Sequence, residues 1–411
     1  MTITGDTRDT LLRPQPLGLF DGPAGLLVVG GGEGVADLLH ALSRGSLPPT
    51  SPRAAAVLAA ATDDDVDTAL GLLGEDRPSA VDRLVLAPTA EHLASAEAAT
   101  EGDPSLGVVV AAAAYASGLS DIAPTIEGVD GEFAVLALTV RAARALEFKD
   151  SRRALQLLSE AVPHAASVGP ALHARVLGML AEHVHHTLGP SERALDLYDE
   201  AIDLLVPTDL AELRAGMQLE RGLVAHQLAD GQRYRLVEAI RSYQSALMVL
   251  SEGRHPEQFA LANMNIAIAI LAMPMTEASD QVRLGVAVQS LRAALRVYRP
   301  ETRRAEWSSS QMNLANALQY LPSKHREENL REAVELYEEV LAFRSPRQDP
   351  MGYARVLANQ ANALAHLAVF GHAEAKYGDA RALFERAGDL EAVDVIDRQL
   401  AQVDAQRSAL R

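Results

Sequence analysis

Five asparagines stand at spacings that chemistry could use. Asn313 and Asn316 lie one helical turn apart, as do Asn359 and Asn362, and the two pairs are 46 residues apart. Asn265 holds the Asn313 position in the preceding stretch. A side-chain amide both donates and accepts, so a row of them at a fixed period can pair with the backbone of an extended peptide. The same amides can instead bond to a neighbouring helix and set how successive stretches stack. The residues themselves leave both roles open.

A histidine cluster is the second candidate. His183 and His186 are one turn apart on a helical pattern, and Glu182 precedes His186 by four. Two or three such groups could converge on a metal ion. The HExxH order is absent and the neighbouring His185 points elsewhere. The cluster therefore reads as a solvated or groove-lining helix face, and no metal is assigned. A third candidate is Gly30–Gly34, inside LLVVGGGEGVADLLHAL (Leu26–Leu42). A strand, a Gly-rich turn and a helix there would cradle a phosphate. Gly30 and Gly32 fit a dinucleotide fingerprint, but Val35 occupies the third glycine position, and no acidic residue about twenty positions on ends a second strand. A packing turn is the preferred reading. The run Asp63–Asp65 with Asp67 lacks the Gly and distal Glu of a calcium loop. It reads as a helix N-terminus, where carboxylates meet the dipole favourably. With no cysteine in the chain, disulfides, zinc knuckles, iron–sulfur ligation and thiol catalysis are excluded. No P-loop spacing or catalytic set stands out, so no catalytic residue and no cofactor is assigned.

The elements that must position these groups show themselves as a repeat. An Ala is followed four residues on by a large residue and seven on by a small one, starting at Ala154, Ala194, Ala239, Ala287, Ala333 and Ala380. The large residues are Leu158, Tyr198, Tyr243, Leu291, Tyr337 and Phe384. Steps of three and four put all three on one helical stripe, and small–large–small lets helices nest closely. A second helical pattern precedes each stripe. Three of these read NIAIAI, NLANAL and NQANAL, and an aromatic stands six residues before each leading Asn: Phe259, Trp307 and Tyr353. Periodic aromatics of this kind are assigned to packing between repeats. Pro207, Pro300 and Pro346 each lie thirteen residues after a leading Ala, where a proline stops a helix. The unit is helix–turn–helix, repeated about six times. One such pair cannot bury its own apolar stripe, whereas stacked pairs can.

The second-helix signature, as in AVELYEEVL (Ala333–Leu341) and ALDLYDEAI (Ala194–Ile202), resembles the tetratricopeptide repeat family. The long period is similar to that of kinesin light chain repeats and of bacterial repeats found beside caspase-like peptidase domains. The resemblance implies an all-α fold, a right-handed α-solenoid whose first helices line a concave face. In the families it resembles, Asn at comparable positions contacts a peptide, which would make Asn265, Asn313, Asn316, Asn359 and Asn362 partner-binding.

Three regions are expected: an acidic, mostly helical stretch over 1–130, a solenoid over 131–388 and a capping helix over 389–411. Residues 1–130 hold 19 acids and six arginines, out of a chain total of 55 acidic and 37 basic residues and a net charge of −18. Such a charge opposes nucleic-acid binding through the general field and favours a basic partner. The apolar runs Leu26–Val29 and Leu106–Ala116 are too short to span a bilayer, and the N-terminus lacks a signal-peptide pattern, so a cytoplasmic location is expected. Three functions compete. The first is a non-enzymatic interaction scaffold or adaptor holding a partner's peptide or helix. The second is an accessory or assembly factor for a multi-subunit bacterial metalloenzyme, a hydrogenase-type client included. The third is a nucleotide or small-molecule sensor through Gly30–Gly34.

Overall fold

The small–large–small stripes are the buried seams of the structure. Of their eighteen residues, all but Ala387 are buried, and the leading Ala of each repeat is fully so. The computed structural model describes residues 35–46, 53–62, 65–274 and 279–409. Every regular element among them is a helix, so the fold is all-α. The Gly30–Gly34 segment lies outside the described residues. Among those described, no helix is long and apolar enough to cross a membrane.

Six short helices come first: α1 (Val35–Ser43), α2 (Arg53–Thr62), α3 (Val66–Leu72), α4 (Arg77–Leu86), α5 (Ala90–Ala99) and α6 (Pro104–Ala116). The starts of α3 to α6 are written in side chains that satisfy the free N–H groups of a first turn. Asp65 accepts from the Thr68 N–H, Asp76 from Ser79, Thr89 from His92, and Asp103 from both Ser105 and Leu106. Asp65, from the acidic run, is thus a helix cap, and its bond to Thr68 holds its carboxyl below the ordinary value.

Longer helices follow in sequential antiparallel pairs. They are α7 (Gly131–Glu147) with α8 (Ser151–Val168), α9 (Pro170–Leu188) with α10 (Glu192–Leu205), α13 (Pro256–Leu271) with α14 (Ser279–Val297), α15 (Arg304–Tyr320) with α16 (Arg326–Phe343), and α17 (Pro350–His366) with α18 (Phe370–Ala387); between the second and third of these pairs the chain runs through α11 (Ala211–Gln227) and α12 (Arg233–Leu247). A last helix, α19 (Leu390–Ala409), packs on α18 and also touches α17, as the first helix of a further pair would. Gly388 makes this final turn possible. Its φ of +76° is left-handed, and the Asp389 N–H then returns to the Phe384 carbonyl.

The chain divides into two compact units, Met1–Val224 and Ala225–Arg411. In the first unit the compositional change near residue 130 falls between α6 and α7, which pack on each other. In the second unit each second helix also packs on the following first helix, and first helices touch in series, α13 to α15 to α17. That series places successive Asn-bearing helices side by side.

One contact in the first unit closes a long loop. Leu38 and Leu42 of α1 are buried, α1 packs on α9, and the Gly45 carbonyl accepts from the Asp209 N–H at 2.8 Å. Gly45 has φ +75°, and a Cβ there would sit 2.8 Å from the Thr208 Cβ. Gly45→Ala therefore combines left-handed strain of about 1–2 kcal/mol with a clash against a branched side chain. The expected result is loss of amide protection in α1, read by hydrogen exchange, with α8–α10 unchanged.

Candidate functional site

Asn316, Asn359 and Asn362 are engaged with one another's surroundings across the second unit. Asn359 Nδ2 donates to Asn316 Oδ1 at 3.2 Å, and the Tyr337 hydroxyl donates to the same oxygen at 2.5 Å. Gln319 Nε2 donates to the Tyr337 hydroxyl at 2.6 Å, and Asn362 Nδ2 donates to Gln319 Oε1 at 3.0 Å. One chain of hydrogen bonds thus joins α15, α16 and α17. Burial holds the Tyr337 phenol far above its ordinary pKa, so it remains a donor.

Asn265 and Asn313 behave differently. Neither side-chain amide makes a hydrogen bond among the described residues. Asn265 is 7% exposed and Asn313 is half-buried. The neighbouring Asn263, by contrast, donates to the Phe259 carbonyl within its own helix at 2.9 Å. The ladder therefore has two kinds of rung: amides tied into the helix stack, and amides with capacity left over.

The register of the repeat exposes a rung that residue type alone hides. Counting 22 residues on from Tyr198, Tyr243, Leu291 and Tyr337 gives Glu220, Asn265, Asn313 and Asn359. The neighbouring positions carry an equivalent bond in two repeats. Gln360 Nε2 donates to Glu338 Oε2 at 2.7 Å, and Arg221 Nη2 donates to Asp199 Oδ2 at 3.0 Å, each pair 22 residues apart. Glu220 is thus the first-unit counterpart of the Asn ladder. A search by Asn misses it, while a search by offset from the buried aromatic finds it.

Around Glu220 the first unit gathers titratable groups. The elements are α9, α10 and α11, whose first helices approach closely enough that a Cβ on Gly178 would lie 2.7 Å from Met217 Cε. Burial, then the Glu182 charge, pushes the Glu220 carboxyl above its ordinary range, while His185 and His186 pull the other way. Tyr198 is 2% exposed, and its hydroxyl has no hydrogen-bond partner among the described residues. Burial, Glu220 and Glu182 all raise its pKa.

His183 and His186 do not converge. His183 Nε2 faces the Ser151 carbonyl at 3.1 Å and the Thr187 hydroxyl at 3.3 Å, which ties α9 to the start of α8. His186 is exposed and lies 3.8 Å from Glu182. The rings that meet are His185 and His186, stacked at 5.5 Å. Among the described residues, no group of three or more such side chains is placed to hold a metal ion.

Of the periodic aromatics, Trp307 is buried with Ala260, Ala294 and Tyr298 and stands edge-on to Phe343 at 5.1 Å. Phe259 and Tyr353 are half-buried.

No family model matches the chain, and no curated protein matches it. The solved structures it is similar to are tetratricopeptide-repeat proteins. The apo form of RapI shares 11% identity over 86% of this chain and 96% of its own, with a TM-score of 0.48. PilW, a type IV pilus biogenesis factor, shares 15% identity over 64% of this chain and 97% of its own, at 0.42. A kinesin-light-chain protein with TPR-like repeats from Podosopora anserina shares 21% identity over 50% of this chain and 93% of its own, at 0.37.

Proposed function

We propose that this chain is a non-enzymatic scaffold or adaptor that holds a peptide or helix of a protein partner along its first helices. The observation that carries the reading is the uncommitted amide of Asn313, with that of Asn265, in a row otherwise tied by mutual hydrogen bonds. A stack of helix pairs presents its first helices as an extended surface, which suits a chain-like partner. Asn265 and Asn313 supply donors and acceptors to that partner. Asn316, Asn359 and Asn362, held by Tyr337 and Gln319, present an edge whose geometry is set before binding, which lowers the cost of ordering.

The test is selection of peptides from a random display library on the immobilised full chain, followed by anisotropy of the best peptide. Asn313→Ala should weaken that peptide about tenfold, the loss of one or two net hydrogen bonds, with an unchanged melting temperature. Failure to select any peptide, or selected peptides that bind Asn313→Ala as well as wild type, overturns the proposal.

A further inference from the structure

α1 stands apart from the other short helices in what it packs on. From α2 to α7 the helices pack on neighbours in chain order: α2 on α3, α3 on α4, α4 on α5 and α6, α6 on α7. α1 packs instead on α9, a first helix of the repeat stack. Leu38 and Leu42, four residues apart, are 3% and 1% exposed, while Asp37, His40 and Arg44 are exposed. α1 is thus an amphipathic helix that lays an i, i+4 pair of leucines on a first helix.

α9 is a helix that needs covering. Its buried residues run round most of its circumference, from Leu172 and Val176 through Leu177 to Ala181 and Ala174. A helix so widely apolar must be packed on more sides than its own pair supplies. α8 and α10 take two of them, and Met217 of α11 closes on Gly178. α1 takes a further part. The seat is keyed where α1 ends. Gly45, at φ +75°, turns the chain so that its carbonyl accepts from the Asp209 N–H at 2.8 Å, close against Thr208 and Leu210.

Nine residues are fewer than a helix needs to stand alone in water. α1 is therefore helical because it is seated. Its hold consists of two buried leucines and the hydrogen bond at Gly45, whereas α7 to α10 are long helices packed on one another in series. A surface that accepts a short amphipathic helix of its own chain accepts another helix of the same pattern.

We propose that α1 is a latch in cis. It occupies the α9 face that an amphipathic helix of the partner takes, one with two apolar residues four apart and a polar back, and the partner binds there by displacing it. This rests on the protein-binding reading above and adds to it a regulated seat in the first unit. The partner's apparent affinity for the free chain is then its intrinsic affinity reduced by the fraction of chains in which α1 is away.

The probe is a fluorescein-labelled peptide of residues 34–46, which carries the α1 sequence, read by anisotropy on the full-length chain. It tests the seat without the partner. In the chain, Leu38→Ser with Leu42→Ser empties the α9 face. The peptide should bind this variant at least about tenfold more tightly than wild type, where the resident α1 competes. A peptide with serine at both leucine positions should bind neither chain. Gly45→Ala, which keeps both leucines and weakens the seat at its other end, should also bind the probe more tightly than wild type. Hydrogen exchange on both variants should show α1 unprotected and α8–α10 unchanged. A probe that binds neither variant, or binds all chains equally, overturns the latch. Loss of protection in α8–α10 also overturns it, since α1 would then be part of the fold. So does a dimeric wild-type chain in light scattering that turns monomeric on the double substitution, which would seat α1 of a second copy on α9. None of these readouts involves Asn265 or Asn313, so failure here leaves the scaffold reading standing, and failure of the library selection is read separately from it.

Discussion

Trp307→Ala should lower the unfolding midpoint of the second unit by roughly 10 °C, the largest effect expected of any single substitution in it. Trp307 is the only tryptophan of the chain, and it does more than fill space within one helix pair. It contacts Ala260 of α13, Ala294 of α14 and Tyr298 just beyond α14, and its ring stands edge-on to Phe343 of α16. Removing it empties the volume where two successive pairs meet. Truncating a buried Trp or Phe to Ala costs about 3–5 kcal/mol, partly as lost transfer energy and partly as cavity. In a stack each pair is stabilised only by its neighbours, so this cost falls on an interface the whole unit depends on. Circular dichroism gives the midpoint for the variant. In wild type, the lone indole reports on the second unit by fluorescence, which separates its melting from that of the first unit. A midpoint lowered by less than about 3 °C would mean that α13–α14 and α15–α16 are held by other contacts.

The repeat was legible because its two constraints leave marks one residue at a time. A buried seam between close helices needs Ala at Ala333 and a large side chain at Tyr337, and the same need recurs in each pair. Helix starts from Asp65 to Asp103 were legible for the same local reason, since a cap is chosen by the N–H groups two and three residues ahead. The compositional change near residue 130 was plain, yet α6 packs on α7 across it, because helices of different composition can still share a seam. The polar row was legible only in part. Asn was visible as a residue type at a period, but whether an amide is used depends on partners 18 to 43 residues away, such as Gln319 for Tyr337 and Asn316 for Asn359. Those pairings follow from how the helices are rotated, which the period does not specify. Glu220 escaped notice because its side chain differs while its position is the same.

Tyr337→Phe isolates the tied half of the row. The phenol both donates to Asn316 and accepts from Gln319, so the substitution removes two hydrogen bonds while keeping the ring in its seam. Gln319 is buried and would keep only its bond from Asn362, leaving its own Nε2 unsatisfied. The expected loss is about 1–3 kcal/mol, the penalty for orphaning buried polar groups. Because burial holds the phenol protonated, the loss should be constant across ordinary pH. Asn359→Ala removes the other donor to Asn316 Oδ1, so the two substitutions share an acceptor and should not add. Their double-mutant cycle should show a coupling of about 0.5 kcal/mol or more. Asn313→Ala, by contrast, should add simply to Tyr337→Phe, since no bond connects them. A zero coupling for Asn359 would mean that the chain of bonds from Asn362 to Asn359 does not act as a unit. The amides at Asn359 and Asn362 would then be as free to meet a partner as that of Asn313.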